Sequence, residues 1–163
     1  MRKTNVQKPD MRIGIVSDTH GLLRPEVLPA LAGVDHLLHA GDVGDIAILD
    51  RLRQIAPVTA IRGNIDRSGP THHLSETEAV ELGGKTFYLL HDLNTLDLQP
   101  KAAGFDAVVS GHTHQALIES RNGVLYINPG SIGPRRFKQQ PTLAIATIRR
   151  NKLSAEIVGL PFD

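Results

Sequence analysis

Seven side chains able to bind a cation recur along this chain in short, similar settings: Asp18-Thr19-His20, Gly41-Asp42, Gly63-Asn64, His91 and Gly111-His112-Thr113-His114. An aspartate and a histidine two residues apart, or two histidines so spaced, put both side chains on one side of a strand running into a loop. A carboxylate that follows a glycine, as Asp42 does, has the backbone room to bridge two cations. Asn64 adds a neutral oxygen. Two divalent cations about 3.5–4 Å apart can polarise a phosphoryl oxygen and hold a hydroxide for in-line attack. The chemistry these residue types suggest is metal-assisted hydrolysis.

Taken singly, each of these residues is as readily an ordinary loop residue or cap. Their placement sets them apart, because they end apolar runs at 13–16, 36–40, 58–62, 87–90 and 107–110, and a sixth run at 124–127 ends in Asn128-Pro129-Gly130-Ser131. Short apolar runs stopped by Gly, Asp, Asn or His read as buried strands followed by loops. In open α/β sheets ligands sit outside the carboxyl ends of the strands, so one edge should gather the whole set. His20, Asp42 and Asn64 are spaced 22 residues apart, about one helix and one strand with their loops, which returns the chain to the same edge.

Segments 25–31 and 45–55 are the helix candidates, the second with Ile46, Leu49, Leu52 and Ile55 near a 3.6 period and Asp45 as N-cap. The first half is then βαβαβ around a parallel sheet. The second half suggests three hairpins: 79–82 with 85–90 across Gly83-Gly84, 116–120 with 124–127 across Asn122-Gly123, and 142–148 with 153–158. These imply a mixed or antiparallel second sheet. The expected fold is α/β, a four-layer α-β-β-α sandwich with two facing mixed sheets.

At 163 residues the chain fits one domain, expected over 12–163 after a flexible polar lead-in at 1–11. No apolar run approaches the roughly 20 residues needed to cross a bilayer, and residues 1–10 lack a signal peptide's apolar stretch, so cytoplasmic residence is the expectation. Cysteine is absent, which removes disulfides, thiolate catalysis and zinc–thiolate sites together. Imidazole, carboxylate and amide oxygen suit Mn, Fe, Zn, Ni or Co. A formal net charge of +1 gives no reason to expect a nucleic-acid partner.

The ordered set Asp18-x-His20, Gly41-Asp42, Gly63-Asn64, His91, Gly111-His112-x-His114 and Asn128-Pro129-Gly130-Ser131 resembles the calcineurin-like metallophosphoesterases. The short chain and the form Gly63-Asn64-Ile65-Asp66 are similar to the small YfcE-type phosphodiesterase branch. The resemblance runs from about Arg12 to Leu160 and implies the sandwich above and a dinuclear centre, often manganese. It implies one metal on Asp18, His20, Asp42 and His114, and a second on Asp42, Asn64, His91 and His112, with Asp42 bridging. It makes Asp42, Asn64 and His112 the expected catalytic residues and a small phosphate ester the substrate. It is compatible with a monomer or a homo-oligomer. Arg62 and Asp66, flanking Gly63-Asn64, are the candidate substrate contacts.

Two departures stand out. Many relatives carry histidine where this chain has Ile65, and such general-acid help is worth about 10²–10⁴-fold. Many also show His-Gly-His where this chain reads His91-Asp92-Leu93, which alters the loop over the second metal. Outside the set, His39 is a candidate support for a ligand, His36 reads as a surface or turn histidine, and His72-His73 as a solvated pair. Lys85-Thr86 after Gly84 fails as a phosphate-binding loop because position 79 is Ala79 and a strand follows. The basic stretch 135–152 reads as an exposed hairpin. Two other readings stand beside the phosphodiesterase: a scaffold of this fold that binds a protein partner, and a nuclease sharing the chemistry.

Overall fold

Strand β1 (Met11–Val16) is buried on both faces, which is why it reads as an unbroken apolar run. Ile13 and Ile15 face the space between two sheets, while Gly14 lies under a helix; a Cβ there would stand 2.6 Å from both Leu31 and Leu37. The structure, a computed structural model, describes residues 10–136 and 138–162. Most of the expected lead-in lies outside the described residues, and β1 starts one residue before the expected boundary.

β1, β2 (His36–His39) and β3 (Val58–Ala60) are parallel, joined by α1 (Val27–Ala30) and α2 (Ile46–Arg53). Asp45 caps α2 by accepting from Ala47 N at 2.9 Å, as its residue type suggests. Both helices are shorter than the apolar pattern implies. α1 is a single turn between Pro25 and Gly33, whose φ of 80° suits only a residue without Cβ. α2 ends at Arg53 and passes through a turn at Gln54 and Ile55 before Pro57, which disfavours helical backbone at Ala56.

The second sheet holds β4 (Thr77–Leu82), β5 (Lys85–Leu90), β6 (Ala107–Val109), β7 (Leu117–Arg121) and β8 (Val124–Asn128) in the order β4-β5-β6-β8-β7. β5, β6 and β8 run parallel, and β4 and β7 are antiparallel edges. Turn residues Gly83-Gly84 and Asn122-Gly123 all have positive φ, the backbone twist that a two-residue hairpin requires. The third hairpin, β9 (Thr142–Arg149) and β10 (Lys152–Gly159), does not extend this sheet. It returns to the first one, β9 pairing antiparallel with β1, to give the order β10-β9-β1-β2-β3.

Two mixed five-stranded sheets therefore face each other over Ile13, Ile15, Leu38, Ala40, Phe87, Leu89, Val109 and Ile127. Helices α1 and α2 cover the first sheet through Val27, Leu31, Leu49 and Leu52. Over the second sheet the outer layer is thin. Among the described residues it consists of a 3-10 turn at Leu93–Thr95, packed through Leu93 and Leu96 on Leu90, Val108 and Val124, and one turn at 100–104. No helix among the described residues is long and apolar enough to cross a membrane.

Candidate metal centre

The carboxyl ends of β1, β2, β3, β5 and β6 all deliver ligand-type residues to one edge. The loops after the strands continue the strand pairing before diverging: Asp18 N bonds Gly41 O at 3.0 Å, His20 N bonds Asp42 O at 3.0 Å, and Gly111 N bonds His91 O at 2.9 Å. Backbone conformation is unusual here. Asp18, His20, Asp42, His112 and His114 all have φ between 45° and 71°, a left-handed region that non-glycine residues rarely occupy. The other non-glycine residues of positive φ among the described residues are the hairpin-turn residues Asn122, Arg150 and Asn151. Strain of this kind is kept where the surroundings over-determine it, typically at functional sites.

Space is as tight as the backbone. A Cβ on Gly63 would lie 2.1 Å from Asp42 Oδ1 and 2.4 Å from Asp42 N, and one on Gly111 would lie 2.0 Å from Ser17 Oγ. The glycines before Asp42, Asn64 and His112 are there because a neighbouring loop passes through the volume a side chain would fill.

Each aspartate splits its oxygens between scaffold and site. Asp18 Oδ2 accepts from Ser17 Oγ at 2.6 Å and His112 N at 3.1 Å, while Oδ1 faces His114 Nε2 at 3.2 Å, His20 Nε2 at 3.6 Å and His91 Nε2 at 3.9 Å. Asp42 Oδ1 accepts from Ile65 N at 3.0 Å, and Oδ2 lies 3.2 Å from His91 Nε2 and 3.4 Å from His20 Nε2. His91 Nδ1–H donates to Ala40 O at 2.7 Å, which leaves Nε2 as the lone-pair nitrogen.

Burial raises the Asp18 carboxyl pKa, but contacts with His114, His20 and Ser17 outweigh it and hold the group well below the usual carboxylate range. Burial likewise raises Asp42, and His91 and the Ile65 N–H bring it down on balance. Burial lowers His91, and Asp42, the Ala40 carbonyl and Asp18 together outweigh it, for a net upward shift.

Two compact groups result, Asp18-His20-His114 and Asp18-Asp42-His91, each with ligand atoms within 4.8 Å of one another. Asp18 belongs to both, and Asp42 Oδ2 lies between His20 and His91. Among the described residues, Asp18 Oδ1, His20 Nε2 and His91 Nε2 are buried without a hydrogen-bond partner. Leaving such atoms unmade costs about 1–3 kcal/mol each, more for a charged group. A cation satisfies all three at once, so the donor set fits a metal. Asn64 and His112 sit on the exposed lip, His112 Nδ1 3.1 Å from Asn64 Oδ1 and its ring 5.2 Å from that of His91.

Several residues hold this edge in shape. His39, fully buried, accepts from Gly41 N at Nδ1 (3.1 Å), and its Nε2 meets Thr19 Oγ1 at 3.0 Å. Thr19 in turn donates to Val43 O at 2.7 Å. His39 thus pins the loops that carry Asp18, His20 and Asp42, and burial pushes its pKa down to about 4. Asn128 Nδ2 donates to Gly111 O at 2.9 Å, and Ser131 Oγ donates to Asp18 O at 3.0 Å. The part played by Ser17 leaves no trace in the sequence beyond adjacency to Asp18.

Asp66 is bound to the scaffold. Its buried carboxylate accepts from Val43 N (3.1 Å), Gly44 N (3.0 Å) and Gly63 N (2.8 Å), which clamps the loops after β2 and β3 and leaves it turned from solvent. Arg62 borders the cleft next to Asn64 and His91, with its guanidinium held by His72 O at 2.9 Å and Glu76 at 3.0 Å. His36 is no turn residue: it lies in β2 and bonds Thr59 Oγ1 of β3 at 2.8 Å. His72 and His73 are exposed in a 3-10 turn at Pro70–His73.

Residues 11–151 match the Calcineurin-like phosphoesterase superfamily domain, and the chain belongs to that superfamily. A probable metallophosphoesterase of Methanocaldococcus jannaschii is 34% identical over 92% of this chain and 82% of its own. Among solved structures, a novel archaeal phosphodiesterase matches with a TM-score of 0.73 at 25% identity, covering 91% of this chain and 100% of that one. Vacuolar Protein Sorting 29 from Cryptosporidium parvum matches with a TM-score of 0.73 at 18% identity, covering 92% and 97%, and shares the fold alone.

Proposed function

We propose that this chain is a metal-dependent phosphodiesterase with a dinuclear centre. One cation is held by Asp18, His20, Asp42 and His114, the other by Asp42, Asn64, His91 and His112, and manganese is the expected metal. The observation that carries the reading is the convergence of three buried, unpartnered ligand atoms, Asp18 Oδ1, His20 Nε2 and His91 Nε2, at the carboxyl ends of the strands. Two bound divalent cations would supply Lewis acidity to the phosphoryl oxygens and acidify a water for in-line displacement. The chain's own residues do the rest. Asp18 and Asp42 each present one oxygen while a backbone N–H holds the other, so neither carboxylate turns when substrate arrives. His91 is oriented by Ala40 O, and the His112–Asn64 pair meets substrate at the exposed lip. Ile65, 39% exposed next to Asn64, supplies no proton to the departing alcohol, so turnover should favour good leaving groups.

The test is hydrolysis of bis-p-nitrophenyl phosphate and p-nitrophenyl phosphate by metal-stripped protein, before and after Mn²⁺ is added, with Asp42→Asn alongside. Mn²⁺-dependent cleavage that favours the diester and is lost in the folded variant supports the reading. Undiminished turnover by Asp42→Asn removes Asp42 from its bridging role. Absence of turnover with Mn²⁺, Ni²⁺, Co²⁺ and Zn²⁺ favours a protein-binding scaffold instead.

A further inference from the structure

Of the seven ligand residues, Asn64 and His112 are the exposed ones, so contacts rather than burial must hold their side chains. The His112 backbone is fixed, its N–H donating to Asp18 Oδ2 at 3.1 Å, but its side chain is 42% exposed. Both ring nitrogens face oxygen: Nδ1 lies 3.1 Å from Asn64 Oδ1, and Nε2 lies 3.9 Å from Asp92 Oδ2. A neutral imidazole has one N–H, so one nitrogen donates and the other keeps its lone pair. Asn64 and His112 share a cation in the reading above, and Nδ1 is the nitrogen turned to Asn64. That leaves Nε2 to carry the proton. Metal-ligating histidines commonly give their other N–H to a carboxylate, which fixes tautomer and ring orientation together.

Asp92 is built as Asp18 and Asp42 are, with one oxygen on the scaffold and one aimed at a ligand histidine. Its Oδ1 accepts from Asn94 N at 3.0 Å and caps the 3-10 turn at Leu93–Thr95. Its carbonyl accepts from Thr95 N at 3.0 Å and Thr95 Oγ1 at 2.7 Å. Leu93 and Leu96 seat the turn on Leu90, Val108 and Val124. The other oxygen, Oδ2, faces His112. Closing 3.9 Å to a hydrogen bond takes about 1 Å of ring movement, which an exposed side chain has. A glycine here, as in His-Gly-His, would offer His112 nothing.

Resting on the dinuclear reading above, we propose that Asp92 is a positioning residue for the second cation: its Oδ2 takes the Nε2–H of His112 and keeps the Nδ1 lone pair beside Asn64 Oδ1. The second site then depends on Asp92, while the first, held by Asp18, His20, Asp42 and His114, does not.

The experiment is calorimetric titration of the metal-stripped protein with Mn²⁺, for the wild type, Asp92→Asn and Asp92→Ser. Asparagine and serine cap a helical turn about as well as aspartate, so both variants keep the turn and lose only the carboxylate. The wild type should take up two cations, and both variants should bind the second about 10–100-fold more weakly with the first unchanged. A merely structural cap would move neither affinity. Nitrogen-15 spectra of the metal-free protein at mildly alkaline pH give a readout independent of metal. They should show His112 as the Nε2–H tautomer in the wild type and a shift towards Nδ1–H in Asp92→Asn. Wild-type affinity for the second cation in both variants, uptake of a single cation by the wild type, or a wild-type His112 with its proton on Nδ1 each overturn the proposal. Cleavage of bis-p-nitrophenyl phosphate decides the phosphodiesterase reading separately. Two bound cations, the second dependent on Asp92, without turnover would sink that reading and leave the role of Asp92 standing.

Discussion

Replacing Gly63 with alanine tests whether the crowding of loops, rather than the ligands alone, builds the centre. The new Cβ would stand 2.1 Å from Asp42 Oδ1, 2.4 Å from Asp42 N and 2.9 Å from Asp42 Cγ. Two of these atoms are the carboxylate itself and the third is backbone, so no flexible side-chain end can swing away. Relief requires the loop after β2 to retreat by about 1 Å, a displacement that can cost 10²-fold in rate at a reacting centre. The same movement stretches the bonds from Ile65 N to Asp42 at 3.0 Å and from Gly63 N to Asp66 at 2.8 Å. Overpacking of about 1–3 kcal/mol together with one weakened charge-assisted bond of about 1.5–3 kcal/mol gives a loss of about 4 kcal/mol. For a domain of this size that lowers Tm by roughly 8–16 °C. The control is Gly123→Ala in the β7–β8 turn, where φ is +79° and nothing lies within 4 Å of the added Cβ. It should cost only about 1–2 kcal/mol and leave turnover unchanged. Urea titration and Mn²⁺-dependent kcat/KM measure both variants. A Gly63→Ala protein with wild-type kcat/KM and a loss below about 1 kcal/mol would refute the reasoning.

Metal should be linked to stability. Mn²⁺ at a hundred times its Kd should add about 2.7 kcal/mol per site, roughly 5–11 °C in Tm, and Asp18→Asn should abolish much of that gain; identical melting with Mn²⁺, Zn²⁺, Ni²⁺, Co²⁺ and EDTA argues against a metal centre. His39 should make the protein acid-sensitive, because its pKa falls from the ordinary 6.5 to about 4 on burial. Its contribution is complete above about pH 6.5 and is lost as pH falls towards 4, at about 1.4 kcal/mol per pH unit within that window. Urea titrations between pH 4.5 and 7.5 should show a shallower slope for His39→Asn, and an unchanged slope removes His39 as the cause. Asp66→Asn should lower stability by about 1.5–3 kcal/mol while KM stays near the wild-type value; a raised KM at unchanged stability would return Asp66 to the substrate.

Much of this architecture is written locally. The apolar runs ending in Asp18, Asp42, Asn64, His91 and His112 become strand ends because short β-branched segments pair and glycine or aspartate interrupts them. Gly83-Gly84 and Asn122-Gly123 adopt positive φ because few other residue pairs tolerate it, so those hairpins are legible from two residues each. The family resemblance adds the order of the ligands and, with it, the sandwich. Other features depend on partners far away in the chain. The β9–β10 hairpin could have closed either sheet, and it joins the first because β9 meets the open edge of β1, more than a hundred residues earlier. Asp66 looks like a site residue from its neighbours, yet three backbone N–H groups from two loops capture its carboxylate. His36 takes Thr59 as its partner only once β2 and β3 are side by side. Which oxygen of Asp18 is buried without a partner, and that Asp92 comes to face His112, also emerge only on folding. Residue type and local pattern determine which groups can do chemistry, whereas burial and long-range contact decide which atoms of those groups are left free to do it.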